Sequence, residues 1–222
     1  MNSILNHPAS YITIGENIHT TRSLLRKGKR IDVVDDVDVI LYTAVDGSAQ
    51  HLIIPDAIKS TQDYDEGRVK HVKIALAAAM HGAGEEAENG LAYIHAMAHH
   101  QAQTGATFLD INVDESSLKT EEQKAAMAWL VGAVQKLSPL PISVDSSDVN
   151  VIRAGLEAYD SSKSSPILNS ASLERLEALD MVIEHNAQVV VTAAGEKGMP
   201  AGTSERVANA SRMVDAALEK GI

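Results

Sequence analysis

Regular alternation of helical and strand-like segments is the feature that most limits the folds open to this chain. From about residue 84 onward, segments with apolar side chains at helical spacing alternate with short runs of β-branched and large apolar residues. Strands alternating with helices form βαβ units, so the pattern predicts an α/β fold with a parallel sheet. The spacing suits either a (β/α)8 barrel or an open doubly wound sheet. The predicted strands are residues 11–15, 107–113, 142–145, 166–169 and 188–193, and the predicted helices are residues 85–104, 120–137, 148–159, a segment beginning at Ser172, and 203–220.

Residues 31–69 interrupt this series. Residues 37–45 and 49–54 resemble two strands joined at Asp46-Gly47-Ser48, which predicts an inserted β-hairpin near the N-terminus. The polar residues 60–68 predict a loop. We therefore predict three segments: residues 1–30 with the first strand and the start of the barrel, 31–69 with the hairpin and loop, and 70–222 with the remaining βα units.

Composition argues against several classes of function. The chain has 19 Lys and Arg against 30 Asp and Glu, and its net charge of −11 disfavours nucleic acid as a partner. The absence of cysteine excludes a disulfide scaffold, a thiolate-held metal cluster and a thiol nucleophile. The longest apolar run, residues 74–80, is far shorter than the roughly 20 residues that span a bilayer. The first residues also lack a secretory signal. We therefore expect a cytoplasmic protein without a membrane or nucleic-acid partner.

Polar side chains lie at the ends of the predicted strands. In a parallel α/β fold these ends share one face, where ligands bind, so the side chains are expected to converge there. Capping of the next helix is the alternative role, and it is the expected one for residues 146–148. Capping does not explain Asp110 and Asn112, which lie two residues apart on one face of their strand. The candidate residues are Glu16, Asp110, Asn112, Asp145, Asn169 and Ser170.

Motifs typical of other enzyme classes are missing. The sequence has no P-loop, no GxGxxG after a strand, no HExxH and no GxSxG. His95 and His99 have a spacing that can bind a metal ion, but no acidic ligand lies near them in the sequence. We therefore expect no metal site.

Four motifs follow one another along the chain: Gly15-Glu-Asn-Ile18, Phe108-Leu-Asp-Ile-Asn-Val113, Val144-Asp-Ser-Ser-Asp148 with Val151-Ile-Arg-Ala-Gly155, and Ile167-Leu-Asn-Ser170. In this order they resemble the pterin-binding family, which comprises dihydropteroate synthases and methyltetrahydrofolate:corrinoid methyltransferases. The resemblance implies a (β/α)8 barrel of the TIM type, and residues 31–70 carry no part of it. The run Asp110-Ile-Asn-Val-Asp-Glu115 is similar to the methyltransferase branch, whereas dihydropteroate synthases read roughly Asp-Ile-Gly-Gly-Glu-Ser-Thr-Arg there.

This resemblance implies a chemistry and a set of partners. Asp145 and Asn169 would hold the pterin ring, with Asp110 and Asn112 assisting. The implied reaction moves a methyl group between methyltetrahydrofolate, as substrate, and the cobalt of cobalamin carried by a corrinoid protein. A non-catalytic module that binds a pterin or a corrinoid protein is one alternative, and a dihydropteroate synthase is another.

The chain ends after the fifth predicted βα unit, whereas a (β/α)8 barrel typically needs about 250 residues. In the resembling family, the Asn that assists protonation of N5 lies on a later strand, so no catalytic residue is assigned here. We therefore expect this chain alone to be an incomplete enzyme, with a missing C-terminal segment or a homo-oligomer completing it.

Overall fold

A computed structural model describes residues 11–222, so the beginning of the predicted first segment lies outside the described residues. In this part of the chain, no helix is both long and apolar enough to cross a membrane. The strands are Ile14–His19 (β1), Leu24–Leu25 (β2), Ile31–Val34 (β3), Val37–Thr43 (β4), Ala49–Ile53 (β5), Arg68–Val69 (β6), Phe108–Asn112 (β7), Ile142–Asp145 (β8), Ile167–Ala171 (β9) and Gln188–Val191 (β10). The helices are Asp56–Lys59 (α1), Gln62–Asp65 (α2), His71–His81 (α3), Glu85–Gln103 (α4), Thr120–Leu137 (α5), Val149–Ala158 (α6), Ala178–Glu184 (α7) and Thr203–Glu219 (α8).

The chain divides into two compact units. The first runs to Asp110 and includes Leu137–Leu140, and the second comprises Ile111–Lys136 and Pro141–Ile222. In the first unit β1 lies beside β7, and in the second the strand order is β7-β8-β9-β10. Strand β9 pairs in parallel with both β8 and β10. This parallel sheet with alternating helices confirms the α/β class predicted from the sequence and agrees with the first βα units of a TIM-type barrel.

Close packing joins helix to sheet in the second unit. Helix α6 buries Val151, Ile152 and Leu156, which follow helical spacing. Its Gly155 lies so near the sheet that an added Cβ would stand 2.6 Å from Cγ1 of Val144. Only a glycine lets α6 approach β8 this closely. Helix α5 has the bounds predicted from the sequence.

An antiparallel sheet of β3, β4 and β5 lies in the first unit. The pairing of Thr43 with Ala49 confirms the predicted hairpin. Strand β3, which the sequence pattern does not predict, joins β4 through Asp35 and Asp36, with Val34 opposite Val37. Both aspartates have positive φ, 49° and 63°. Such two-residue turns usually carry Asn-Gly or Asp-Gly, so an Asp-Asp turn gives little signal.

Three predicted boundaries near the candidate residues are wrong. Strand β9 continues to Ala171 and so contains Asn169 and Ser170, rather than ending at Asn169. Strand β1 spans Ile14–His19 rather than residues 11–15, because the apolar Tyr11 and Ile12 are exposed and do not enter the sheet. The predicted helix after Ser172 begins only at Ala178. The carbonyl of Ser172 instead accepts from the backbone N–H of Arg175 in a turn, at 2.9 Å.

The first unit also contains helices that the sequence analysis did not identify. Gln62–Asp65 forms α2 within the predicted loop, where the Thr61 hydroxyl accepts from the backbone N–H of Tyr64. Helix α3 packs against α4 at Gly90, where an added Cβ would stand 2.6 Å from the carbonyl oxygen of Ala75. The small residues of α3 allow this approach. The same residues give a weak amphipathic pattern, so the sequence does not predict a helix there.

Candidate functional site

Asp145 and Asn169 stand side by side on adjacent parallel strands of the second unit. Asp145 is the last residue of β8, and the register of the β8–β9 pair sets it opposite Asn169. The N–H of Ser146 donates to the carbonyl of Asn169 at 3.3 Å, so the strands remain together past the end of β8. Both side chains are half-buried. A carboxylate and a carboxamide therefore neighbour one another where β8 ends.

Asn112 fixes the orientation of the Asp145 carboxylate. Its Nδ2 donates to Oδ2 of Asp145 at 2.8 Å, and its Oδ1 accepts from the backbone N–H of Asp114 at 2.9 Å. Asn112 is buried at the end of β7. Because both ends of its amide are engaged, Asn112 holds one carboxylate oxygen of Asp145 in a defined position.

The loop that follows β8 is held from two sides. The Asp114 carboxylate accepts from Oγ of Ser146 at 2.5 Å and from the N–H of Ser147 at 2.9 Å. The Arg175 guanidinium donates to the carbonyls of both serines at 3.1 Å. It also donates to Oγ of Ser170 at 3.3 Å. These contacts hold the backbone beside Asp145 in place, so a ligand at this position would not have to order it.

Two of residues 146–148, for which the sequence predicts a capping role, bind backbone N–H groups at the start of α6. Asp148 caps α6, because its carboxylate accepts from the N–H of Asn150 at 2.8 Å, and this hydrogen bond lowers the pKa of Asp148. The hydroxyl of Ser146 accepts from the N–H of Asp148 at 3.1 Å and also donates to Asp114, which lies after another strand. The N–H of Ser147 instead binds Asp114, so capping is wrong for Ser147.

Asp110 of the first unit is fully buried and hydrogen-bonded to His19. Nε2 of His19 lies 2.8 Å from Oδ2 of Asp110, and His19 is itself buried at the end of β1. A buried carboxylate requires such a partner. Asp110 is a candidate residue of the sequence, but His19 is not. The only available signal was that His19 follows the first strand, and its pairing depends on the placement of β1 beside β7.

Two other predicted residues are paired with arginines. Glu16 is exposed within β1, where its carboxylate accepts from Arg22 at 3.1 Å. Ser170 is buried in β9 and accepts from Arg175. Their participation in ligand binding stays a prediction, as does the convergence of all six candidates on one ligand.

The pair formed by Asp145 and Asn169 suits a planar heterocycle with donors and acceptors along one edge. The carboxylate can accept from two neighbouring N–H groups, and the carboxamide can both donate and accept. Because both groups are half-buried, such hydrogen bonds would be stronger than in open water.

The sequence model of a known family also matches this chain. The family is described as "Pterin binding enzyme", and the match covers residues 63–221, well over half of the 222 residues. The matched region contains Asn112, Asp145 and Asn169, whereas Glu16 and His19 precede it. The chain therefore belongs to the family of pterin-binding enzymes.

Proposed function

We propose that this chain binds a reduced pterin at Asp145 and Asn169 and acts in methyl transfer between methyltetrahydrofolate and a corrinoid protein. One observation carries the proposal. Two polar side chains of complementary type lie opposite each other at the end of β8, and Asn112 orients the carboxylate at 2.8 Å.

Hydrogen-bond chemistry supports a pterin as the ligand. A pterin presents a ring N–H and an exocyclic amine side by side, and one carboxylate can accept from both. Asn169 can donate to one ring nitrogen and accept from another. A folate carries the same ring, so methyltetrahydrofolate is a suitable substrate.

The sequence after β7 supports methyl transfer rather than dihydropteroate synthesis. Asn112 and Asp114 stand where dihydropteroate synthases have a glycine and a glutamate, and both are engaged in the network around Asp145. In methyltetrahydrofolate N5 is a tertiary amine. It is a poor leaving group for methyl transfer unless N5 is protonated or hydrogen-bonded. In this proposal the cobalamin that exchanges the methyl group belongs to a cytoplasmic partner protein.

The binding step is tested by Asp145→Ala. Isothermal calorimetry with methyltetrahydrofolate should show a binding free energy weakened by about 2–5 kcal/mol, the cost of removing one partner of a charge-assisted hydrogen-bonded pair. Asp160→Ala is the matched control, since Asp160 is an exposed carboxylate of the same unit that accepts from Ser162. Equal affinities for the native chain and Asp145→Ala would contradict the proposed pterin site.

The transfer step needs a separate assay. The chain is mixed with methyltetrahydrofolate and a corrinoid protein reduced to Co(I), and the cobalt absorption spectrum is followed. Methylation that depends on Asp145 supports the transferase. Turnover of dihydropteroate synthase substrates favours that enzyme. Pterin binding without methylation, which an incomplete enzyme would also give, does not distinguish the transferase from a binding module.

A further inference from the structure

The first unit contains a cavity that the proposed pterin site does not use. Its volume is about 760 Å³, within the range of small-molecule sites. Residues after β1, from β4 and from helices α3 and α4 line it. Two arginines, Arg22 and Arg30, are among them, and no lining residue is acidic. In a chain with a net charge of −11, a cavity with this charge pattern points to an anionic ligand.

Arg30 is the cation available to such a ligand. Its Nε donates to the carbonyl of Leu41 at 3.3 Å, and its Nη2 donates to the Tyr93 hydroxyl at 2.5 Å. Within residues 11–222 it forms no ion pair with a carboxylate, and its Nη1 makes no hydrogen bond. Arg22 differs, because Glu16 already neutralises it at 3.1 Å. A half-buried guanidinium without a counter-ion remains strongly attractive to anions.

Tyr93 and His71 hold Arg30 in place without neutralising it. The Tyr93 hydroxyl, which accepts from Arg30, donates to Nδ1 of His71 at 2.9 Å. Burial lowers the pKa of His71 to about 4, with the Arg30 charge as a second cause, and burial raises the pKa of Tyr93 to about 12. Both groups are therefore neutral near pH 7, and the positive charge of Arg30 remains uncompensated.

Apolar and aromatic groups form another part of the cavity wall. Leu41, Tyr42 and Met97 lie in the lining, and Tyr42 packs edge-to-face with Tyr93 at a centroid distance of 5.0 Å. Aromatic rings and thioethers favour contact with a second aromatic ring. The wall therefore suits the apolar body of a ligand whose charged end reaches Arg30.

We propose that this cavity binds a small organic carboxylate that has an aromatic body. The carboxylate pairs with the Arg30 guanidinium, whose planar fork matches its two oxygens. The ring lies against Tyr42 and Met97. This site takes no part in the proposed pterin chemistry, so each proposal can fail without the other.

Phenylacetate and its neutral isostere phenylacetamide are the probes for this site. Titration of the full chain, followed by protein NMR shifts and by calorimetry, should show saturable phenylacetate binding in the millimolar range. The affinity for the amide should be lower by a factor of about ten or more, because the amide lacks the charge that a guanidinium recognises. Equal affinity for acid and amide, or no saturation by about 10 mM phenylacetate, would overturn the proposal.

Arginine variants locate the binding. Arg30→Met, which keeps an apolar stem, should weaken phenylacetate binding by about tenfold or more, and Arg30→Lys should weaken it less. Arg26→Met is the matched control: Arg26 also stacks on a tyrosine, with its Cζ 4.8 Å from the Tyr64 ring centroid, but it does not line the cavity. If Arg30→Met does not fold, two other results still test the proposal. These are the affinities for acid and amide, and the affinity of Arg30→Lys for phenylacetate. Affinity that is unchanged in a folded Arg30 variant contradicts the proposal.

Discussion

His71 is a buried histidine whose neutral form the fold requires. Its pKa is about 4 in the folded chain, against an ordinary value of 6.5. Between pH 4 and pH 6.5, His71 therefore binds a proton in the unfolded chain but not in the folded chain. The stability that His71 contributes is fully present above pH 6.5 and is lost as the pH falls toward 4. The loss is on the order of 3 kcal/mol.

The measurement is denaturant unfolding of the native chain and of His71→Asn at several pH values from 7 to 4. Asn offers an oxygen to the Tyr93 hydroxyl but does not titrate, so the variant should lose less stability over this range. His81→Asn, at the exposed end of the same helix, is the control and should follow the native curve. Parallel curves for the native chain and His71→Asn would show that His71 is not kept neutral.

Polar residues in apolar strands are easier to predict than residues joined through a core. Asp145 and Asn169 could be identified as candidates because a polar side chain in an apolar run is costly to bury without a partner, although Asn169 lies in the middle of β9. Arg30, Tyr93 and His71 carry no such mark. Tyr93 lies 63 residues from Arg30 and fits the apolar face of a helix, and only the folding of the first unit brings them together.

Two glycines in the second unit should respond in opposite ways to the same substitution. At Gly155 an added Cβ would meet Val144 at 2.6 Å and Cγ of Met127 at 2.8 Å. Gly155→Ala should therefore destabilise the chain by about 1–3 kcal/mol through overpacking. At Gly132, within α5, an added Cβ meets nothing within 4 Å. Gly132→Ala should stabilise by about 0.5–1 kcal/mol, because alanine favours the helix.

Urea unfolding of both variants, compared with the native chain, measures these free energies. Loss of stability at Gly155 with a gain at Gly132 would show that α6 contacts β8 as closely as described. Equal effects at both positions would mean that helix propensity alone decides and that the close approach is absent.

Elements with strong periodicity and clear boundaries were predicted almost to the residue. Strand β8 follows Pro141, and α6 begins after the cap Asp148, so both ends carry a chemical signal. Helix α7 was predicted too early, because Leu173 and Leu176 look like one helical face. In the structure Leu173 is buried and Leu176 is exposed, in a turn before the helix. Spacing alone does not distinguish such a turn from a helix.

The net charge and the exposed apolar surface have opposite effects on association between copies of the chain. The net charge of −11 opposes contact between copies of the chain. Helix α8 nevertheless exposes Val207, Val214 and Leu218, with 61%, 45% and 64% of their surface accessible. Spacings of seven and eleven residues place these three side chains on one stripe of the helix. An apolar stripe of this kind favours self-association once repulsion is screened.

We predict that this chain self-associates more strongly as salt is added. The Debye length falls from about 10 Å at 0.1 M to about 3 Å at 1 M ionic strength, so repulsion between copies weakens while burial of the stripe remains favourable. Sedimentation velocity at both NaCl concentrations should show a larger weight-average mass at the higher one.

The double variant Val214→Glu with Leu218→Glu should remain monomeric under both conditions. Its control, Val33→Glu with Leu118→Glu, has the same composition and changes exposed residues outside α8, so it should behave as the native chain. If both double variants prevent association equally, added charge is the cause, and the α8 stripe is not the contact.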